Sequence, residues 1–149
     1  MPTEPLPPVF APLSAQAREE LSDARSFVSQ TAVDLVGAQT LTQSETDLPI
    51  LQALVDHDAM KNANFEAWVA LGIAFGDALV SSVPGLHWRL VTDQFGTHAG
   101  LQFEQKALSI AAPTLLWKRV ERGESIDLAH LAAELRSFIK KHAHEYRDA

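Results

Sequence analysis

Cysteine is absent from all 149 residues, which excludes disulfides, thiolate metal ligands and a cysteine nucleophile. Basic side chains are scarce: 12 Lys and Arg against 19 Asp and Glu give a net charge of −7. That sign argues against nucleic acid or anionic lipid as the main partner and suits a protein with a basic surface. The common catalytic signatures are missing too, with no G-x-S-x-G elbow, no phosphate-cradling glycine loop and no H-E-x-x-H. The opening MPTEPLPPVFAP holds five prolines and no Lys or Arg. It lacks the positive start and unbroken apolar run of a secretory signal. Residues 1–13 read instead as an extended proline-rich arm, laid over the surface through Val9 and Phe10.

What is present suits one soluble domain, here residues 14–149: 46% apolar and 21% charged residues over a length that buries a full core. A chain of this composition without cysteine fits the cytoplasm. The acidity is uneven. Residues 1–117 carry 5 basic and 13 acidic side chains, residues 118–149 carry 7 and 6.

The stretch Asn64–Val83, NFEAWVALGIAFGDALVSSV, is apolar on every side, with Glu66 and Asp77 its only charges. Such a helix is a membrane span or the centre of a domain. The amphipathic segments around it favour the second. Asn64 caps it and Pro84-Gly85 stops it. Gly72 and Gly76, four apart, mark a face that another element approaches closely.

Before it, Ser14 caps a long helix that ends at Val36-Gly37. Ala17, Leu21, Ala24, Val28, Ala32 and Leu35 line its buried face, and Arg18, Glu19, Asp23, Arg25 and Gln30 look outward. Asp47 starts a shorter helix that ends in Asp56-His57-Asp58, carboxylates that oppose the dipole of a helix C-terminus. After the central helix the period changes to two. Leu86–Asp93, His98–Phe103 and Ala107–Ala111 form three strands, the first pair joined by Asp93-Gln94-Phe95-Gly96. Pro113 opens a helix that Gly123 closes, and Asp127 caps the last one, with Ile126 and Leu131 as its staple. The tail from Lys140 is expected to fray.

From Trp68 to Leu131 the chain resembles a bacterial domain-of-unknown-function family, number 3806. The residues that carry the likeness are Leu71-Gly72, Phe75-Gly76-Asp77, Trp88, Thr92-Asp93, Gly96, Pro113, the run from Lys118 to Glu124, and Asp127. The resemblance supports the element boundaries and implies no activity, cofactor or partner. The third strand departs from the family pattern, weakened by Ser109 and Ala111-Ala112.

Three groups are candidate sites. Arg119 and Arg122 in the run KRVERGE have the chemistry of an anion clamp; the structural alternative is a helix end closed by glycine. Asp56, His57 and Asp58 suit a basic partner. As metal ligands they are disfavoured, since neighbours on a helix diverge and no second ligand cluster has matching spacing. His142 and His144 fall on opposite faces, whereas His87 and His98 lie on neighbouring strands where they can meet. Asp93, Arg119 and Glu121 between sheet and helix offer an enzymatic or small-ligand alternative. Trp68, Trp88 and Trp117 read as packing.

The sequence therefore predicts an α+β domain in the order α-α-α-β-β-β-α-α, a three-stranded antiparallel meander packed on a central buried helix. The expected function is non-enzymatic protein binding, concretely an immunity-type protein that neutralises a basic toxin or effector. No cofactor, metal, nucleic acid or membrane is expected. Self-association as a structural subunit is the remaining alternative.

Overall fold

Everything in the structure is arranged about the helix over Phe65–Ser82, most of whose residues are buried. The structure, a computed structural model, describes residues 7–38 and 40–149. In chain order the elements are β1 (Val9–Ala11), α1 (Ala15–Val36), α2 (Leu48–Asp56), α3 (Phe65–Ser82), β2 (Leu86–Asp93), β3 (Gly96–Phe103), β4 (Ser109–Ile110), α4 (Ala112–Glu121) and α5 (Leu128–His142). Short 3-10 turns precede α2 and α3 and follow α5.

The class is α+β, but among the described residues the sheet has four antiparallel strands rather than three, in the order β1-β2-β3-β4. The additional strand comes from the proline-rich arm. Val9, Phe10 and Ala11 pair with Thr92, Val91 and Leu90 of β2. Prolines 7, 8 and 12 flank this strand without interrupting it, as an edge position allows. The rest of the arm, residues 1–6, lies outside the described residues.

Local chemistry explains most boundaries. The Ser14 side chain accepts the Ala17 N–H at the head of α1, and Gly37 closes it at φ 64°. The Asn64 side chain accepts the Ala67 N–H at the head of α3, and Asp127 accepts the His130 N–H at the head of α5. Asp47 behaves differently from the expected cap. Ser44 caps the turn before α2, while the buried Asp47 carboxylate accepts the Thr42 and Gln43 N–H groups and the Thr42 hydroxyl. It folds the approach to α2 back on itself.

α4 lies against α3 at the two glycines. A Cβ on Gly72 would stand 2.5 Å from the Ala112 carbonyl oxygen and 2.6 Å from that of Pro113. One on Gly76 would stand 2.7 Å from the Trp88 ring. Main chain therefore meets main chain at Gly72 and an indole ring meets main chain at Gly76, and this close packing offsets the roughly 1 kcal/mol that each glycine costs a helix. α5 is tied to α2 through Gln52, whose amide accepts the Leu128 N–H and donates to the Ile126 carbonyl.

The C-terminal segment does not fray. α5 runs to His142, and beyond it Ala107 N–H donates to Arg147 O while Ala149 N–H donates to Gln105 O, at 2.8 and 2.7 Å. The end of the chain is thus seated on the turn between β3 and β4.

Candidate functional site

The residues singled out from the sequence lie in three separate places. Arg119 and Arg122 are at the end of α4, where the Gly123 N–H donates to Val120 O and the Glu124 N–H to Arg119 O. With Gly123 at φ 69° this is a Schellman stop. The Arg119 guanidinium bonds Glu124 at 3.1 Å, and Arg122 and Glu121 are exposed. Asp56 ends α2, His57 is extended, and Asp58 opens a fresh 3-10 turn. The expected conflict with the helix dipole is relieved because the chain restarts: Asp58 sits in a first turn, where a carboxylate is favourable. Lys61, hydrogen-bonded to Asp58 and attracted to it, holds that carboxyl below its ordinary value. Asp93 serves the hairpin, its carboxylate accepting the Phe95 N–H, with His98 at 3.6 Å.

His87 and His98 do not meet. The register sets His87 opposite Gln102 and His98 opposite Val91. Among the described residues no group of three or more His, Asp or Glu is placed to hold a metal ion. Trp68 is buried, and Trp88 and Trp117 are partly buried against the core.

Arg25, expected to face solvent, instead turns inward. Its guanidinium forms a two-pronged bond with Asp77 of α3, Nε to Oδ2 at 2.7 Å and a terminal nitrogen to Oδ1 at 2.8 Å. The Trp88 indole N–H donates to the same Oδ1 at 2.9 Å. Asp77 is 5% exposed, and this clasp joins α1, α3 and β2 around it. The hydrogen bond to Asp77, aided by charge attraction, raises the Arg25 pKa above its already high ordinary value despite burial. The sequence did hold a signal for it. A lone carboxylate inside an apolar helix needs a buried partner, and the two arginines of α1, Arg18 and Arg25, were available to supply one.

Beside the clasp, α1 and α3 part and a groove of about 820 Å³ opens. Its walls are α1 from Ala17 to Phe27 and α3 from Phe65 to Ile73; Thr97–Ala99 of β3 and the head of α4 at Pro113-Thr114 close the far side. The lining is mostly apolar, with Leu21, Ala24, Ala70 and Ile73 along the helices. Phe27 and Phe65 stand at its mouth, 48% and 47% exposed. Among the described residues every full charge in the lining is acidic: Glu20, Asp23 and Glu66, all exposed, with no Lys or Arg. None of Asp56, His57, Asp58, Asp93, Arg119, Glu121 or Arg122 lines it. No local motif announces this groove, because it exists only once four elements, α1, α3, β3 and α4, have docked.

A volume of this size falls in the range of ligand sites. The lining holds one histidine, His98, and three carboxylates, without a nucleophile set against a base. Chemically the groove suits recognition of an apolar surface with positive charge beside it.

Residues 47–131, more than half of the chain, match the model of a protein family described as a domain of unknown function (DUF3806). A crystal structure of a protein from Bacteroides thetaiotaomicron superposes with a TM-score of 0.77 over 89% of this chain at 19% identity. At that identity the likeness concerns the fold. This chain spans 48% of that protein, about half its length. No curated protein matches. The family match includes α2 to α4 and the start of α5, and so three walls of the groove; α1, with Arg25, lies outside it.

Proposed function

We propose that this chain, which belongs to the DUF3806 family, is a non-enzymatic protein-binding domain whose groove takes an apolar segment of a basic partner. The observation that carries this reading is the pairing of an apolar floor with a rim whose full charges are all acidic. The two parts act differently. Burial of apolar surface at about 25 cal/mol per Å² supplies affinity, while exposed carboxylates, worth under about 1 kcal/mol each, chiefly steer a cationic partner and reject an acidic one. The net charge of −7 works in the same direction. The concrete form is an immunity-type cytoplasmic protein that covers and neutralises a basic toxin or effector.

The test is affinity capture from the native cells with the wild type, the triple variant Glu20→Lys/Asp23→Lys/Glu66→Lys and, as control, Arg119→Ala. The expected result is a stoichiometric basic partner that the wild type and Arg119→Ala retain and the triple variant loses. Capture of no stoichiometric partner, or of one indifferent to the rim, overturns the proposal.

A further inference from the structure

We propose that the groove holds its partner by strand addition: an extended segment lies along Thr97–Ala99 and completes the half of β3 that β4 leaves open. The proposal rests on the protein-binding reading above and specifies how binding occurs.

The register shows which backbone groups face that edge. In an antiparallel strand, alternate residues direct both their N–H and C=O to one neighbour and the residues between to the other. Glu104 N–H donates to Gly85 O, so even-numbered residues of β3 bond β2; Phe103 N–H donates to Leu108 O, so odd-numbered ones face β4. β4 is two residues long and pairs only with Leu101 and Gln102 before the chain turns into α4 at Ala112. The N–H and C=O of Thr97 and Ala99 therefore point past its end. No hydrogen-bond partner is found for them among the described residues.

Edges that must stay unpaired are protected by lysine, proline, a bulge or a cover. The sequence of β3, GTHAGLQF, holds no Lys, Arg or Pro, and the chain covers only its second half. The opposite side of the sheet is occupied by β1 on β2, so Val9–Ala11 of the same molecule are committed elsewhere. The free edge opens onto the apolar floor at Ala70 and Ile73 and lies within the same groove as Glu20, Asp23 and Glu66. The occupant this geometry fits is a segment of a partner protein in extended form. Every second side chain is apolar and drops onto the floor, with Lys or Arg flanking them.

The experiment begins with a random twelve-residue peptide library selected on the wild-type protein and counter-selected on the triple Lys variant. The tightest peptide is then methylated at each backbone nitrogen in turn and titrated by calorimetry. Strand addition predicts a loss of about tenfold or more at every second position and little change between them, because only alternate N–H groups reach β3. It also predicts slowed amide exchange at Thr97 and Ala99 on binding. Losses that recur every three to four residues, or no slowing at those two amides, overturn strand addition while leaving a groove-binding protein. A selection that yields no rim-dependent peptide overturns the groove reading and the strand with it. On the protein side, Ala99→Pro removes one edge N–H that plays no part in the β2 ladder and should weaken the peptide about tenfold. Should that variant fail to fold, the methylation scan still decides. Light scattering that finds the wild type dimeric, and the peptide dissociating it, would assign the edge to a second copy and overturn the partner segment.

Discussion

On the side of α3 that meets α4, Gly72 lies against main chain and Gly76 against the Trp88 ring and the Ala112 methyl group; on the side that meets α1, Ala70 and Ile73 look into open volume. The same helix is therefore packed to contact on one flank and left accessible on the other. The closed flank has no room for a single added methyl group. The open flank is bridged at Asp77 by the Arg25 clasp, and the helices part beside it. The close contacts at Gly72 and Gly76 fall where the family match lies, and the groove is made by adding α1, which lies outside that match.

The comparison breaks most completely at Gly72. A leucine there would drive its Cβ into two carbonyl oxygens of α4 that are themselves main chain and have no rotamer to escape into. Over-packing usually costs about 1–3 kcal/mol; here the expected loss is roughly 4 kcal/mol or more, read as a chain that unfolds at far lower denaturant. Gly76→Leu meets the Trp88 ring, which its bond to Asp77 holds in place, and should be nearly as severe. A Gly72→Leu protein that melted like the parent would mean α4 is not seated where the structure has it.

Arg25→Ala comes next. It leaves the Asp77 carboxylate buried with Trp88 as its one remaining donor among the described residues. Removing one partner of a buried pair typically costs about 3–5 kcal/mol; with a donor left and Arg25 27% exposed, about 3 kcal/mol is expected. The pH dependence has a definite sign. Arg25 has its pKa raised on folding, so its contribution is fully present below its ordinary, already high value and is lost only as pH rises past the still higher folded value. The stability gap between wild type and Arg25→Ala should therefore hold steady as pH is raised from neutral toward 10 or so, well short of that range. Denaturant midpoints that converge there would show the clasp is not what ties α1 down.

How far each flank can be read from sequence follows from the distance over which it is encoded. Gly72 and Gly76 declare close packing within one turn of one helix. The ends of α1, α3 and α5 follow from Ser14, Asn64 and Asp127, each a local hydrogen bond to the first turn. The run from Lys118 to Glu124 is a helix stop whose geometry is local as well. The clasp was not readable in the same way: Arg25 and Asp77 are 52 residues apart, and periodicity alone places Arg25 on the outward side of α1. Nor was the first strand, because Val9–Ala11 has strand character only in the presence of β2. The groove and the free edge of β3 belong to the same class. They depend on where β4 stops and how α1 docks, so the residues read from the chain as candidate sites, Asp56 to Asp58, Asp93, Arg119, Glu121 and Arg122, were not the ones that assemble around the groove.

The smallest effect on stability is expected where the surface is most open, and it separates a groove wall from a core. Phe27 is 48% exposed, so Phe27→Ser gives up only about half of the 1.5–3 kcal/mol that full burial of such a ring provides, roughly 1 kcal/mol. In a chain of this length that lowers the melting temperature by about 2–4 °C. Phe65 is equally exposed but stands edge-on to Trp117 of α4, with ring centroids 5.5 Å apart. That adds about 0.5–1.5 kcal/mol, so Phe65→Ser should cost the more of the two. The order Phe27, then Phe65, then Gly72 thus tracks the distance from the open flank to the closed one. Thermal melts of the three variants test that order. If Phe27→Ser matched Gly72→Leu, the volume between α1 and α3 would be filled in solution and the two flanks of α3 would not differ. If the order holds, both serine variants should still weaken a groove-bound peptide by about tenfold, since the rings at the mouth then serve the occupant more than the fold.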